Sequence, residues 1–87
     1  DMASSWNIAC VPHIACSSGT GIALAAGLQL ILACENAPMI EYDAYGGPGW
    51  DGLLDTAPLL KNGFLEATDA PGLGVQLSED AYGRFAL

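Results

Sequence analysis

Two residues of this sequence have side chains suited to moving protons, and each follows a short apolar run. His13 is the only histidine and comes after residues 8–11 and Pro12, whereas Glu41 comes after residues 39–40. A histidine can act as an acid or a base near neutral pH. A glutamate can hydrogen-bond to a substrate or, if it is kept protonated, donate to it. His13 and Glu41 are therefore candidate catalytic and substrate-binding residues; the alternative for each is a structural role at a strand end.

The elements around these two residues follow the order strand, loop, helix, strand. Residues 21–34 have the pattern of a helix that is apolar almost all round, and the apolar runs on either side have the length of buried strands. In a β-α-β unit both strands run the same way, so we expect His13 and Glu41 at the C-terminal ends of the strands. Proteins with parallel sheets keep their chemistry at that edge.

The remaining elements are predicted from turn residues and apolar spacing. The small residues of the long helix, Gly27 among them, allow neighbouring elements to approach closely. Asn7 suits the turn that precedes the first strand, because asparagine tolerates a left-handed backbone. The other predictions are a short helix at 53–60 that Pro58 interrupts, a turn at 61–63, a strand at 64–68, an extended segment at 72–77, and a helix at 79–84 capped by Ser78.

The composition predicts that this chain does not stand alone. It has 87 residues, of which 52% are hydrophobic, and a mean hydropathy of +0.35. A chain of this length buries only about 60 to 65% of its unfolded surface. We therefore expect a piece of a larger protein or an obligate assembly, and the start at Asp1 also favours a chain cut from a longer one.

The charge excludes several classes of partner. Ten acidic residues against Lys61 and Arg84 give a net charge of −8. Binding to nucleic acid or to an anionic membrane needs clustered basic residues, so neither partner is expected. The predicted helix is shorter than the roughly 20 residues of a membrane span. With no signal-peptide pattern at the start of the chain, we predict a cytoplasmic protein.

The three cysteines, Cys10, Cys16 and Cys34, predict neither a disulfide framework nor a metal site. Their number is odd and they form no C-x-x-C pair, which favours reduced thiols. Cys10, His13 and Cys16 have a spacing that could serve zinc. However, Cys10 lies within the apolar run, where strand alternation turns it away from a ligand at the strand end, and no fourth ligand is evident.

A loop of small residues connects His13 to the long helix. Its last part, from Ser17 to Gly21, could bring backbone amides to an anion at the helix N-terminus. The alternative is a tight, well-capped helix start. The G-x-G within this loop is a weak dinucleotide signal, since Leu24 stands where the third glycine of that fingerprint would be.

Four motifs together resemble one enzyme family. They are Val11-Pro12-His13, the Gly-Ile-Ala-Leu-Ala-Ala start of the helix at 21–26, Ile40-Glu41, and Pro-Gly-Leu-Gly-Val at 71–75. In this order and spacing they resemble the C-terminal end of the mandelate racemase/muconate lactonizing enzyme group of the enolase superfamily. The pattern is most similar to the sugar-acid dehydratases of the galactonate dehydratase type, and the resemblance covers almost the whole chain.

The resemblance implies an α/β fold in which this chain is the C-terminal fragment of a (β/α)7β TIM-like barrel. Residues 1–45 would hold the seventh strand, seventh helix and eighth strand. Residues 46–87 would form a tail that returns toward an α+β capping domain. The family also implies a homo-oligomer.

The resemblance implies that His13 is a general base or acid and that Glu41 hydrogen-bonds the carboxylate or the enolate of the substrate. Removal of a proton next to a carboxylate needs a base of suitable pKa and stabilisation of the resulting enediolate. In the family a magnesium ion supplies part of that stabilisation. Its three carboxylate ligands, and an aspartate paired with the histidine, would come from earlier strands outside these 87 residues.

The function expected from the resemblance is a lyase, namely a sugar-acid dehydratase, or a racemase or epimerase, acting on an acid sugar. Two alternatives remain open. The chain could belong to a non-catalytic remnant of the barrel that has lost its metal ligands. It could also be a small module that binds an anion with the loop from Ser17 to Gly21.

Overall fold

The computed structural model describes residues 2–14, 21–44 and 52–86. Within these ranges it contains three helices and four short strands. The helices are α1 (Met2–Ser5), α2 (Gly21–Leu32) and α3 (Glu79–Phe85). The strands are β1 (Leu54–Thr56), β2 (Leu59–Lys61), β3 (Phe64–Glu66) and β4 (Gln76–Leu77).

Helix α2 supplies most of the small core. Leu24, Ala25 and Leu28 are buried on it, and within the described residues the one further buried apolar side chain is Ala81. The predicted helix at 21–34 is confirmed, except that its last two residues lie beyond the α-helix. There the amides of Ala33 and Cys34 bond to carbonyls three residues earlier, which tightens the final turn.

The two strands predicted on either side of α2 are not confirmed. The amide of Cys10 donates to the carbonyl oxygen of Asn36 at 3.0 Å, and the Asn36 side chain donates to the Ile8 carbonyl. Neither apolar run pairs with a strand among the residues that the structure describes. A regular strand requires a hydrogen-bonded neighbour, so these segments run beside each other without a sheet.

The short helix predicted at 53–60 is wrong, because this stretch forms β1 and β2 instead. Pro58 lies between the two strands, where its missing amide removes no ladder bond. Strand β2 pairs antiparallel with β3 across a two-residue turn, Asn62-Gly63. Both turn residues have positive φ, 52° and 80°, which is the geometry that Asn-Gly adopts in hairpins. The turn predicted here is confirmed.

The last two elements are β4 and α3. Ser78, which lies between them, bonds to the backbone just before β1. The Ser78 side chain is buried, accepts from the amide of Ala81 at 3.1 Å, and donates to the carbonyl oxygen of Gly52. The cap and the helix predicted after Ser78 are therefore confirmed. Of the extended segment predicted at 72–77, only Gln76–Leu77 is a strand, antiparallel to β1.

Many large apolar side chains remain exposed on this small fold. Trp6 is 76% exposed and Phe64 is 73% exposed, and Leu32 and Met39 are each more than 60% exposed. Within the part of the chain that is described, no helix combines the length and the apolar character needed to cross a membrane.

Candidate functional site

The structure brings His13 and Glu41 into direct contact. Nδ1 of His13 lies 2.5 Å from Oε2 of Glu41. The same carboxylate oxygen accepts a hydrogen bond from the backbone amide of Ile14 at 2.9 Å. The two apolar runs therefore end at one place, as the β-α-β pattern predicted, even though they are not regular strands.

Helix α2 contacts both apolar runs next to His13 and Glu41. Ile14 follows His13 and Ile40 precedes Glu41 in the chain. The terminal methyl groups of Ile14 and Ile40 both lie close to Gly27 of α2. The close approach predicted for the small residues of this helix is confirmed at Gly27.

Glu41 is held as an ionised carboxylate. The Ile14 amide hydrogen bond is the largest cause that lowers the pKa of Glu41, and the His13 hydrogen bond lowers it further. Both donors stabilise the charged form, and they outweigh the opposing effect of desolvation. This arrangement does not favour the protonated glutamate that the sequence left open as one alternative.

The ionised carboxylate determines which tautomer of His13 the contact requires. A carboxylate can only accept hydrogen bonds, so Nδ1 of His13 must carry the hydrogen in this pair. In a neutral ring the lone pair then lies on Nε2, which is the nitrogen that can accept a proton. The side chains of His13 and Glu41 are 78% and 48% exposed, so the pair is open to a small molecule.

An exposed ion pair contributes little to stability, since solvent screens the charges and two side chains lose freedom. The His13–Glu41 contact is therefore expected to add little to the stability of the fold. The sequence identified both side chains, but it gave no sign of the Ile14 amide. Backbone donors are present at every residue except proline, so only the fold reveals which one points at a carboxylate.

The described residues do not build a metal centre. No group of three or more His, Cys, Asp or Glu side chains that could hold an ion occurs among them. Cys10 and Cys34 are half-buried free thiols, whereas Cys16 lies outside the described residues. Residues 17–20 of the predicted anion-binding loop also lie outside, so that prediction stays untested.

A groove of about 310 Å³ lies near the start of both runs rather than at their meeting point. It is lined by residues 7–9 and 35–38. His13 and Glu41 are not part of it, so their contact lies on an open surface and not in this groove.

Two enzymes are among the known proteins similar to this chain. The family described as Enolase C-terminal domain-like matches residues 1–81. A D-xylonate dehydratase from Haloferax volcanii is 32% identical over 81 residues, which cover 93% of this chain and 19% of that protein. A D-galactarolactone cycloisomerase from Agrobacterium fabrum is 29% identical over 94 residues, 99% of this chain and 24% of that protein. The chain thus spans about a fifth to a quarter of these relatives. No solved structure matches it at comparable significance.

Proposed function

Because the chain belongs to the Enolase C-terminal domain-like family, we propose that it is part of an enzyme that removes the proton next to the carboxylate of an acid sugar. The sequence motifs predicted this family correctly. The observation that carries the proposal is the contact of His13 Nδ1 with Glu41 Oε2, which leaves Nε2 of an exposed imidazole as a base.

The reaction begins at Nε2 of His13. This nitrogen takes the proton from the α-carbon, and the electron pair of the broken C–H bond enters an enediolate. In a dehydration, that pair expels the hydroxyl group of the neighbouring carbon, which leaves as water with the proton that the imidazolium returns. In a racemisation or epimerisation, the same α-carbon is protonated again. The name of the D-xylonate dehydratase relative favours dehydration.

Glu41 has two tasks in this scheme. Its Oε2 holds the Nδ1–H of His13, which keeps the proton-accepting lone pair on Nε2 and stabilises the imidazolium once it forms. Its other oxygen, Oε1, accepts a hydrogen bond from a hydroxyl group of the substrate. This replaces the contact with the substrate's carboxylate or enolate that the resemblance implies, because an ionised carboxylate has no hydrogen to donate to those oxygens. As an ionised group Glu41 acts as an acceptor in both tasks.

The rest of the protein completes the enzyme in this proposal. Residues 1–45 form the last β-α-β part of a (β/α)7β barrel, and residues 46–87 form a tail against the barrel and an α+β capping domain. The exposed apolar side chains of β2 and β3 support this arrangement, because such surface is usually covered by another part of a protein. The described residues offer no magnesium site, so the ion would be held elsewhere in the protein. A cytoplasmic homo-oligomer is part of the same proposal.

The proposal is tested with the intact protein, magnesium, and a panel of acid sugars that includes D-xylonate, incubated in D₂O. We expect deuterium at the α-carbon of at least one of these compounds, or its conversion to a dehydrated product, by proton NMR and mass spectrometry. The proposal is wrong if the folded, magnesium-supplied protein neither exchanges nor converts any member of the panel, including lactones such as D-galactarolactone.

A further inference from the structure

We propose that Gly27 is a positioning residue for the His13–Glu41 pair, because the missing side chain lets α2 support both runs directly behind the site. The effect expected on turnover rests on the proposed function. The effect expected on the NMR signals of the His13 ring concerns only the geometry of the His13–Glu41 pair.

Gly27 lies in the interior of α2 and is buried. A Cβ atom on Gly27 would lie 2.7 Å from Cδ1 of Ile14 and 3.2 Å from Cδ1 of Ile40. Ordinary contacts between carbon atoms are about 3.5 to 4.0 Å. Both atoms are terminal methyl groups, so an alanine at this position requires the Ile14 side chain to rotate or shift, and Ile40 to give by a few tenths of an ångström.

The part of such a displacement that side-chain rotation does not absorb reaches the site through the backbone of Ile14. Its side chain lies on Gly27, while its amide donates to Oε2 of Glu41 and its chain neighbour is His13. A shift of Ile14 thus moves a donor to Glu41 and the attachment of the imidazole together. Ile40 stands in the same relation to Glu41 on the other run. In this proposal the same residue of α2, Gly27, positions both His13 and Glu41.

Glycine is otherwise a poor choice in this helix. In a helix interior it is less stable than alanine, since it loses more backbone freedom on folding. Gly83 of α3 offers a matched comparison, because a Cβ added there meets nothing within 4 Å. Close approach explains Gly27 but not Gly83.

The experiment compares Gly27→Ala, Gly83→Ala and the double variant Gly27→Ala/Ile14→Val in the intact enzyme. Valine lacks the Cδ1 atom that alanine at position 27 would meet. The readouts are kcat and KM for D-xylonate and the ¹⁵N shifts of the His13 ring, identified by their loss in His13→Asn. A misplacement of up to about 1 Å can cost on the order of a hundredfold in rate, so we expect Gly27→Ala to lower kcat about tenfold with little change in KM.

The ring shifts separate positioning from a general loss of stability. In Gly27→Ala we expect the ¹⁵N shifts of the ring to move away from the values of the Nδ1–H tautomer. In the double variant we expect these shifts and kcat both to return toward the wild-type values. Gly83→Ala should match the wild type in both readouts. The proposal is overturned if Gly27→Ala folds with wild-type ring shifts, or if Ile14→Val restores neither readout.

Two further outcomes are informative. If Gly27→Ala does not fold, Ile14→Ala takes its place, because it removes the same packing while Gly27 is kept. Wild-type ring shifts in Ile14→Ala would then overturn the proposal, and shifted ones would support it. If no acid sugar is turned over but Gly27→Ala still moves the ring shifts, the proposed function fails and the positioning role stands.

Discussion

Oε2 of Glu41 accepts hydrogen bonds from two donors next to each other in the chain, Nδ1 of His13 at 2.5 Å and the amide of Ile14 at 2.9 Å. The amide fixes where the carboxylate lies, and the carboxylate in turn orients the imidazole. For metal-binding histidines, removing the group that orients the ring in this way typically costs about 10- to 100-fold in metal affinity or activity. In the proposed function, this arrangement lets Glu41 orient the imidazole that acts as the base.

Glu41→Gln should lower kcat by about 10- to 100-fold, as for the partners that orient metal-binding histidines. It should lower the melting temperature only slightly, because the pair is exposed. The amide oxygen of glutamine can still accept from Ile14, but it lacks the charge that stabilises an imidazolium. Steady-state kinetics and a thermal melt by circular dichroism measure the two effects. Glu35→Gln, at an exposed turn residue, is the control and should match the wild type. An unfolded Glu41→Gln protein would show instead that this glutamate is structural.

The pKa of Glu41 should lie below the ordinary glutamate range, because two donors stabilise its charged form. The stability that this adds is present above the unfolded-state pKa and is lost as the pH falls through the lower folded-state pKa. Glu41 therefore stays ionised throughout the neutral range. A ¹³C NMR titration of the carboxyl carbon measures its pKa.

In His13→Ala, which removes the side-chain donor altogether, the pKa of Glu41 should rise only part of the way toward its ordinary value, since the Ile14 amide is the larger cause of the shift. A full return to the ordinary value would show that the histidine alone accounts for it.

The sequence predicted the meeting of His13 and Glu41 better than the architecture around them. The residue types and spacing were enough to predict that His13 and Glu41 meet. This contact requires only that the two apolar runs pass on the same side of helix α2. The Asn62-Gly63 turn and the Ser78 cap were also predictable, since each is determined by one or two residues. The regular strands at 8–11 and 39–40 were not confirmed, because strand pairing depends on neighbours that the local sequence does not contain.

The error at 53–60 has a different cause. Leucines at positions 53, 54, 59 and 60 have spacings that suit a helix as well as a pair of strands. Pairing of β1 with β4 and of β2 with β3 decides between them, and β4 lies some 20 residues away. Tertiary contacts override local preference in such cases.

The 87-residue chain expressed alone should not fold into a cooperative monomer. Its core is small, and Trp6, Leu32 and Phe64 are among many apolar side chains left in solvent. Hydrophobic burial is the main term that offsets conformational entropy, so a chain with this exposure lacks stabilisation. We expect poorly dispersed amide signals in NMR and a broad calorimetric transition. Dispersed signals with a sharp transition would contradict this expectation.

Gly63→Ala should destabilise the intact protein by about 1 kcal/mol through the backbone alone. Gly63 has a φ of 80°, and a Cβ on it would meet nothing within 4 Å, so no clash contributes. Chemical denaturation measures the change. Gly83→Ala in α3 is the matched control and should be neutral or slightly stabilising. Equal effects of the two substitutions would show that the hairpin turn does not require a left-handed residue.

His13→Asn tests the base itself. Asparagine keeps a polar side chain of similar reach that can donate to Glu41, but it cannot take up a proton near neutral pH. General-base assistance contributes typically about 10² to 10⁴-fold, so turnover in the intact enzyme should fall by at least the lower figure. Deuterium exchange at the α-carbon of D-xylonate, followed with product formation, separates proton removal from the later step. If His13 is the base, exchange and turnover fall together while the melting temperature holds, because the ring is exposed and makes little packing contact. If exchange continues at the wild-type rate, another group removes the proton, and the Glu41 contact then serves a different purpose.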